Sequence, residues 1–353
     1  MVGRTLPALT AFLILGAGCR RIDSGRGGGG SRTVLDVQGN RVVLPGEVRR
    51  ILSNGNSLNQ LFLTLGASGR MVATVPEVRS NPWFVRLSPT VGKLPTPFAS
   101  QGGIDVEAVL ALHPDLVVLW NDDASAARLR SLDIPVLIVH FTTPEEFRHA
   151  VMVLGMALGG DAPARANRFC HLYDSLRAVA DRRLLGIPES ERVGVYYSAD
   201  GPLSTEGTGS IVSSWIAEAG GVNVAARGGV RGSRTAVTPE QLLAWDPQVI
   251  LTREAADRDR FLSEPRWKCL SAVRAGRIYA VPRGVNAWST RNGESSLQPL
   301  WAARTLHPER FADVFVEPAV RDFYREFYGY GISDAELSEV MAGKVPQSFG
   351  KAP

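Results

Sequence analysis

The sequence is poor in the residues that build metal centres and disulfide frameworks. It has 3 cysteines and 5 histidines in 353 residues. Three cysteines cannot staple a fold, and no C-x-x-C pair is present to hold zinc or run redox chemistry. His113, His140, His149, His171 and His307 show none of the spacings that bind zinc. Catalytic motifs are missing as well. There is no G-x-S-x-G, no Walker A loop, no H-E-x-x-H, and no G-x-G-x-x-G between a strand and a helix. The segment Glu206-Gly207-Thr208-Gly209-Ser210 is the one short candidate for an anion cradle. Charge of one sign is scarce too: 39 Lys and Arg against 35 Asp and Glu leave a formal charge of +4. No basic cluster carries interleaved aromatics, so nucleic acid is not the expected partner. No catalytic residue, cofactor or directly ligated metal is expected.

What is present starts at the N-terminus. Arg4 supplies a positive charge, Leu6 to Leu15 form an apolar run, and Gly16, Ala17 and Gly18 are small residues before Cys19. That is the layout of an export signal, and the run is too short to cross a bilayer. Cys19 after small residues resembles the lipobox of bacterial lipoproteins, in which the signal is cut before a lipidated cysteine. The match departs in one place. A leucine is usual three residues before the cysteine, and here Leu15 stands four before it. Residues 26–32, RGGGGSR, read as a flexible tether. Cys170 and Cys269 then remain as two buried free thiols.

The body has 44% hydrophobic and 21% charged residues, enough for a true core and two domains. Alternation from Thr33 to Pro45 around Gly39-Asn40 predicts a small β-hairpin. Apolar runs without alternation predict strands covered on both faces at 50–53, 71–75, 116–120, 136–141, 193–198, 249–252 and 278–281. Helices lie between them, such as Pro144–Leu158 capped by Thr143. Asp161 to Leu185 has no internal glycine and its only proline near the start. It predicts one long helix stopping at Gly186 and Pro188. The two halves also share a pattern. DVEAVLALHPDLVVL (105–119) and TPEQLLAWDPQVIL (238–251) each give a capped short helix, a proline and an apolar strand. Glu107 to Glu240 and Pro114 to Pro247 show the same offset of 133 residues. The expected fold is α/β, with two similar Rossmann-like lobes joined by one long interdomain helix. The expected layout is a signal peptide at 1–18, lipidated Cys19 and tether at 19–32, lobes at 33–160 and 187–353, and the connecting helix at 161–186. The second lobe ends in a helical tail.

Taken in order, these pieces resemble the class III periplasmic binding proteins. The resemblance covers roughly residues 33–305. It rests on the opening hairpin and strand DVQGNRVVLPGEVRRILS, the paired helix–proline–strand motifs, the long central helix, and WKCLSAVRAGRIYAVP (267–282). It implies a lipid-anchored substrate-binding component of an ABC importer on the extracytoplasmic face of the cell envelope. A permease and its ATPase would be the partners, and a monomer is expected. The cargo it implies is a metal chelate, an iron–siderophore first, with cobalamin, haem and a nickel chelate as alternatives. In the family a Glu on each lobe docks on permease arginines, and Glu107 and Glu240 match those positions. Each precedes its strand by a short helix, so each is expected away from the loop leaving that strand's carboxyl end. A scaffolding lipoprotein and an enzyme without a recognised motif are the rival classes.

Ligands of two-lobed α/β proteins sit at loops leaving the carboxyl ends of strands. Those loops nominate Asn54 and Asn56 after the first strand, and Trp120 and Asn121 in the run to Asp123. They also nominate Trp83 and Arg86 near the lobe edge, Arg253 beside Glu254, and Trp288 and Arg291 after the last strand. The tryptophans offer stacking surfaces, and the arginines offer pairing with an anionic chelate.

Overall fold

A computed structural model describes residues 30–98 and 103–345. Cys19 and the export signal lie outside the described residues. The hairpin forms as the alternation predicts: β1 (Arg32–Leu35) and β2 (Arg41–Leu44) pair antiparallel, Leu35 opposite Arg41. Gly39 turns there at φ 84°, a left-handed conformation that glycine adopts without a Cβ clash. β3 (Ile51–Ser53) follows, then α1 (Asn56–Thr64), α2 (Pro82–Leu87) and α3 (Val106–Ala111). β4 (Leu116–Trp120) and β5 (Val136–Val139) complete a parallel sheet in the order β3-β4-β5. β5 is buried throughout, and β4 up to Trp120, as strands covered on both faces must be. The strand expected at 71–75 shrinks to one parallel bridge between Ile51 and Met71. Thr74 already bonds the Pro95 carbonyl instead, and Pro76 starts a helical turn.

α4 (Pro144–Leu158) begins in a capping box, Thr143 with Glu146, and ends at Gly159. Its orphan C-terminal carbonyls are taken by arginines: Arg32 bonds Met156 and Ala157, and Arg70 bonds Leu158. α5 (Ala162–Leu184) is the long helix, uninterrupted over 23 residues. It buries Ala166, Phe169, Cys170, Tyr173 and Ala180 at helical spacing. Gly186 at φ 79° turns the chain out of it.

The second lobe repeats the first. β6 (Val193–Ser198), β7 (Ser204–Thr205), α6 (Ile211–Glu218), β8 (Gly221–Asn223), β9 (Thr235–Ala236), α7 (Pro239–Trp245), β10 (Val249–Thr252), β11 (Ile278–Ala280) and α8 (Gln298–Leu306) come in turn. β11-β10-β6-β8 form a parallel sheet, and β7 pairs antiparallel with β9 as a separate two-stranded sheet. Counted along the chain, the strand order is second, first, third, fourth. The first lobe has the same order once the Met71 bridge beside β3 is counted. The 133-residue offset holds in three dimensions. Asp105 and Thr238 both cap their helices, and His113 and Asp246 both take left-handed backbone at φ 44° and 36°.

α9 (Glu317–Tyr328) and α10 (Asp334–Met341) pack against both lobes. On the first lobe, Trp83 sets its ring edge to Tyr324 and Tyr330 with centroids 5.2 and 5.9 Å away, and Gln60 donates to Tyr328 at 3.0 Å. On the second, Tyr324 donates to Glu294 at 2.7 Å, and the Arg283 amide to the Val340 carbonyl at 2.9 Å. The tail is therefore part of the joint between the lobes.

Candidate ligand-binding cleft

In a parallel sheet ordered second-first-third-fourth, the connections from the first and third strands leave on opposite faces. A crevice opens between their carboxyl ends. The first lobe's crevice lies between β3 and β4. Asn54, just past β3, accepts a hydrogen bond from the Trp120 amide at 2.8 Å and ties the two exits together. A cavity of about 170 Å³ opens there, lined by Asn54, Asn56, Glu77, Phe98, Ile104 and Asp122 among others. Trp120 is half-buried, edge-on to Phe141 at 4.5 Å and tilted against His140 at 5.5 Å. Asn121 comes next in left-handed backbone, exposed. Asn54, Asn56, Trp120 and Asn121 are thus brought to one edge.

The second lobe's crevice lies between β6 and β10 and is charged. Asp200, two residues past β6, takes Arg253 at 3.4 Å and Arg234 at 3.2 Å. Arg283, three residues past β11, pairs with Glu254. Glu206 sits nearby, and burial raises its carboxyl pKa despite the opposing pull of Arg253 and Arg234. Arg283 escaped the sequence reading; its signal was its place just beyond the last strand.

Other nominated residues do not reach this edge. Trp83 is fully buried against the tail. Arg86 is exposed beside Tyr330, 5.9 Å from its ring centroid. Trp288 is fully buried. Arg291 is interior: its side chain is 1% exposed and pairs with Glu218, itself 9% exposed, at 3.0 Å. It also donates to Tyr173 and Ser214, both at 3.0 Å. The stacking and ion-pairing roles expected for Trp83, Trp288 and Arg291 are corrected to packing roles: the tail covers Trp83, residues of α5 and α6 take Arg291, and Trp288 is fully buried. The 206–210 segment is no anion cradle. The Gly207, Thr208 and Ser210 amides already bond the carbonyls of Gly232, Val230 and Gly207. Of the two thiols, Cys170 is buried, which pushes its pKa up to about 11, while Cys269 is exposed; neither is bridged.

Glu107 and Glu240 occupy the same second position of α3 and α7, both exposed. The carboxylate suits the positive helix start. Hydrogen bonds from its own amide and from Thr238 lower the Glu240 pKa. Their position corrects the expectation. A helix returning to feed a parallel strand runs antiparallel to it, so its start lies at the strand's carboxyl edge. Ile104, just before α3, lines the cavity. Both carboxylates therefore stand toward the rim of the crevices, not remote from them.

Among the described residues, no group of three or more His, Cys, Asp or Glu side chains converges to hold a metal, and no helix is long and apolar enough to cross a membrane. A family model described as periplasmic binding protein matches residues 53–284. The molybdate-binding protein MolA of Haemophilus influenzae is 25% identical over 322 residues, 84% of this chain and 91% of that one. A cobalamin-binding protein of Halobacterium salinarum is 27% identical over 304 residues, 82% of this chain and 72% of that one. A periplasmic solute binding protein from Veillonella parvula superposes with a TM-score of 0.78 at 24% identity, covering 88% of this chain and 97% of its own.

Proposed function

Because the chain belongs to the periplasmic binding protein family, we propose that it is the extracytoplasmic substrate-binding component of an ABC importer. It holds a small metal-bearing ligand between the two crevices and presents it to the permease. The observation that carries this reading is the duplication: two lobes of one strand order, each opening at its carboxyl edge, each with an exposed Glu at the second helix position. Two carboxylates on one rigid body make a two-point contact that fixes orientation on a basic partner. The molybdate- and cobalamin-binding relatives fit a metal-centred cargo. An iron–siderophore belongs to the same broad class and is the cargo put first, with cobalamin, haem and a nickel chelate as alternatives. Cys19 carries the lipid anchor, and the protein works as a monomer beside the permease and its ATPase.

Native mass spectrometry and absorbance spectra of protein from its own source identify the cargo, since these ligands differ in mass and colour. Changing Glu107 and Glu240 to Ala is expected to abolish most uptake in proteoliposomes while leaving ligand affinity nearly unchanged. The defect should vary with ionic strength. Full uptake, or a large loss of ligand affinity, rejects the docking assignment. Cys19→Ser should release the protein from the membrane fraction; retention there places the anchor elsewhere.

A further inference from the structure

Two arginines at the carboxyl edge of the second sheet are buried further than their bonding explains. The side chains of Arg253 and Arg283 are 23% and 20% exposed. A guanidinium carries five N–H donors, and leaving them idle away from water costs free energy. Arg253 makes one side-chain hydrogen bond, Nη1 to Asp200 at 3.4 Å, and its Nε lies 3.9 Å from Glu254. Arg283 bonds Glu254 through Nη2 and reaches the Arg253 carbonyl at 3.5 Å. Nη2 of Arg253 and Nη1 of Arg283 make no hydrogen bond among the described residues, and both Nε atoms are buried without one. Arg291 provides the contrast. Its Nε is idle too, but both its terminal nitrogens are filled at 3.0 Å.

The carboxylates opposite these arginines are not locked in place. Asp200 and Glu254 are each 48% exposed, and exposed ion pairs contribute little. An anion that presents two adjacent oxygens fits an open guanidinium fork better than a single carboxylate oxygen does. We infer that the cargo is anionic, and that its anionic oxygens take Arg253 and Arg283 away from Asp200 and Glu254, which act as built-in competitors. Glu254 then turns back into water at small cost. The chemistry is shared by a free metal oxyanion and by a chelate with anionic donor groups. The inference rests on the transport reading above.

The test is titration calorimetry of the full chain with sodium molybdate, ferric tris-catecholate and cyanocobalamin, in wild type, Glu254→Gln, Arg283→Met and Arg283→Lys. At least one anionic probe is expected to bind, and which one does separates oxyanion from chelate. Arg283→Met should weaken it roughly 10- to 100-fold, the worth of hydrogen bonds to a charged group. Arg283→Lys, with the charge but not the fork, should fall between. Glu254→Gln should tighten it about 3-fold or more, because a competitor has gone. Should Arg283→Met fail to fold by thermal melting, Glu254→Gln and Arg283→Lys decide. Unchanged or weaker anion binding in Glu254→Gln overturns the inference. So does binding of cyanocobalamin alone, indifferent to Arg283, which leaves the transport reading intact. Binding of none of the three probes also overturns the inference and leaves the transport reading to the haem and nickel-chelate cargoes.

Discussion

Arg291→Met is the substitution that most sharply separates a packing role from a ligand role. The wild-type guanidinium joins three elements: Tyr173 on α5, and Ser214 and Glu218 on α6, all at 3.0 Å from the loop that carries Arg291. Methionine fills much of the volume but leaves Glu218 as a buried carboxylate without its cation. Removing one partner of a buried pair costs about 3–5 kcal/mol. Two contacts to Glu218 survive, from Ser214 at 3.1 Å and Tyr173 at 3.3 Å, so the lower end, about 3 kcal/mol, is expected. At roughly 2–4 °C per kcal/mol for a large domain, the melting temperature should fall by about 6–12 °C. The assay is thermal and urea unfolding of wild type, Arg291→Met, Glu218→Leu and the double variant. The double variant should recover most of the loss, since an apolar replacement of a whole buried pair is often neutral. Ligand affinity of folded Arg291→Met should match wild type. A stability change under about 1 kcal/mol together with lost ligand binding would refute the packing assignment and return Arg291 to the cleft.

Glu294 should make stability fall as pH rises. Burial pushes its carboxyl up to about 7 from an ordinary 4.5, so the folded chain prefers it protonated. That stabilisation is complete below about pH 4.5, and up to about 3 kcal/mol of it is lost as pH climbs through 7. Urea midpoints across pH 5 to 8 should therefore flatten in Glu294→Gln, which can still accept from Tyr324. At the repeated left-handed corners the two lobes should respond differently. His113→Gly relieves backbone strain and should leave stability equal or slightly higher. Asp246→Gly also loses two 2.7 Å bonds from the Ser271 amide and hydroxyl, and should cost about 1–3 kcal/mol in urea unfolding. Small-angle scattering with and without ligand is expected to show little compaction; a large change would contradict a rigid joint.

Much of this fold was legible because its signals are local. Hydrophobic runs placed β4, β6 and β10 at the residues observed, and Thr143 marked the start of α4, where Glu146 completes the capping box. The long helix appeared because nothing inside it breaks it. The Met71 strand failed because its extension past the first bridge depends on Pro95 and Pro76, not on local apolarity. The site was legible only as far as strand ends are. Asn54, Trp120 and Arg253 are found directly from them, whereas Trp83 and Arg291 were misread because residues of the tail, α5 and α6 occupy them, and Trp288 because it lies fully buried. The partners of Trp83 and Arg291 lie from 73 to 247 positions away along the chain, as with Glu218 and Arg291 or Trp83 and Tyr330, and no periodicity records such a pairing.

The bridges between the lobes decide what ligand binding can move. A hinge needs a few residues whose backbone changes cheaply. α5 offers hydrogen-bonded helix for 23 residues. The 282–297 segment is buried almost throughout and is pinned to the first lobe by Asn81 donating to the Val285 carbonyl at 2.8 Å. The tail adds Trp83, Tyr324 and Tyr330 in edge contact, together with the Arg165 bond to the Phe327 carbonyl at 2.6 Å. Close-packed joints of this kind shift between discrete arrangements and do not bend continuously. The half-exposed rim stays free to rearrange, Asp200 and Glu254 above all. A rigid joint also holds Glu107 and Glu240 at one separation whether or not the cleft is filled. On the docking role proposed above, their spacing alone then cannot report that the cleft is filled. On that proposal the signal has to come from the cleft edge itself, where the anionic ligand inferred above would replace one set of negative groups with another while Glu107 and Glu240 stay where they are.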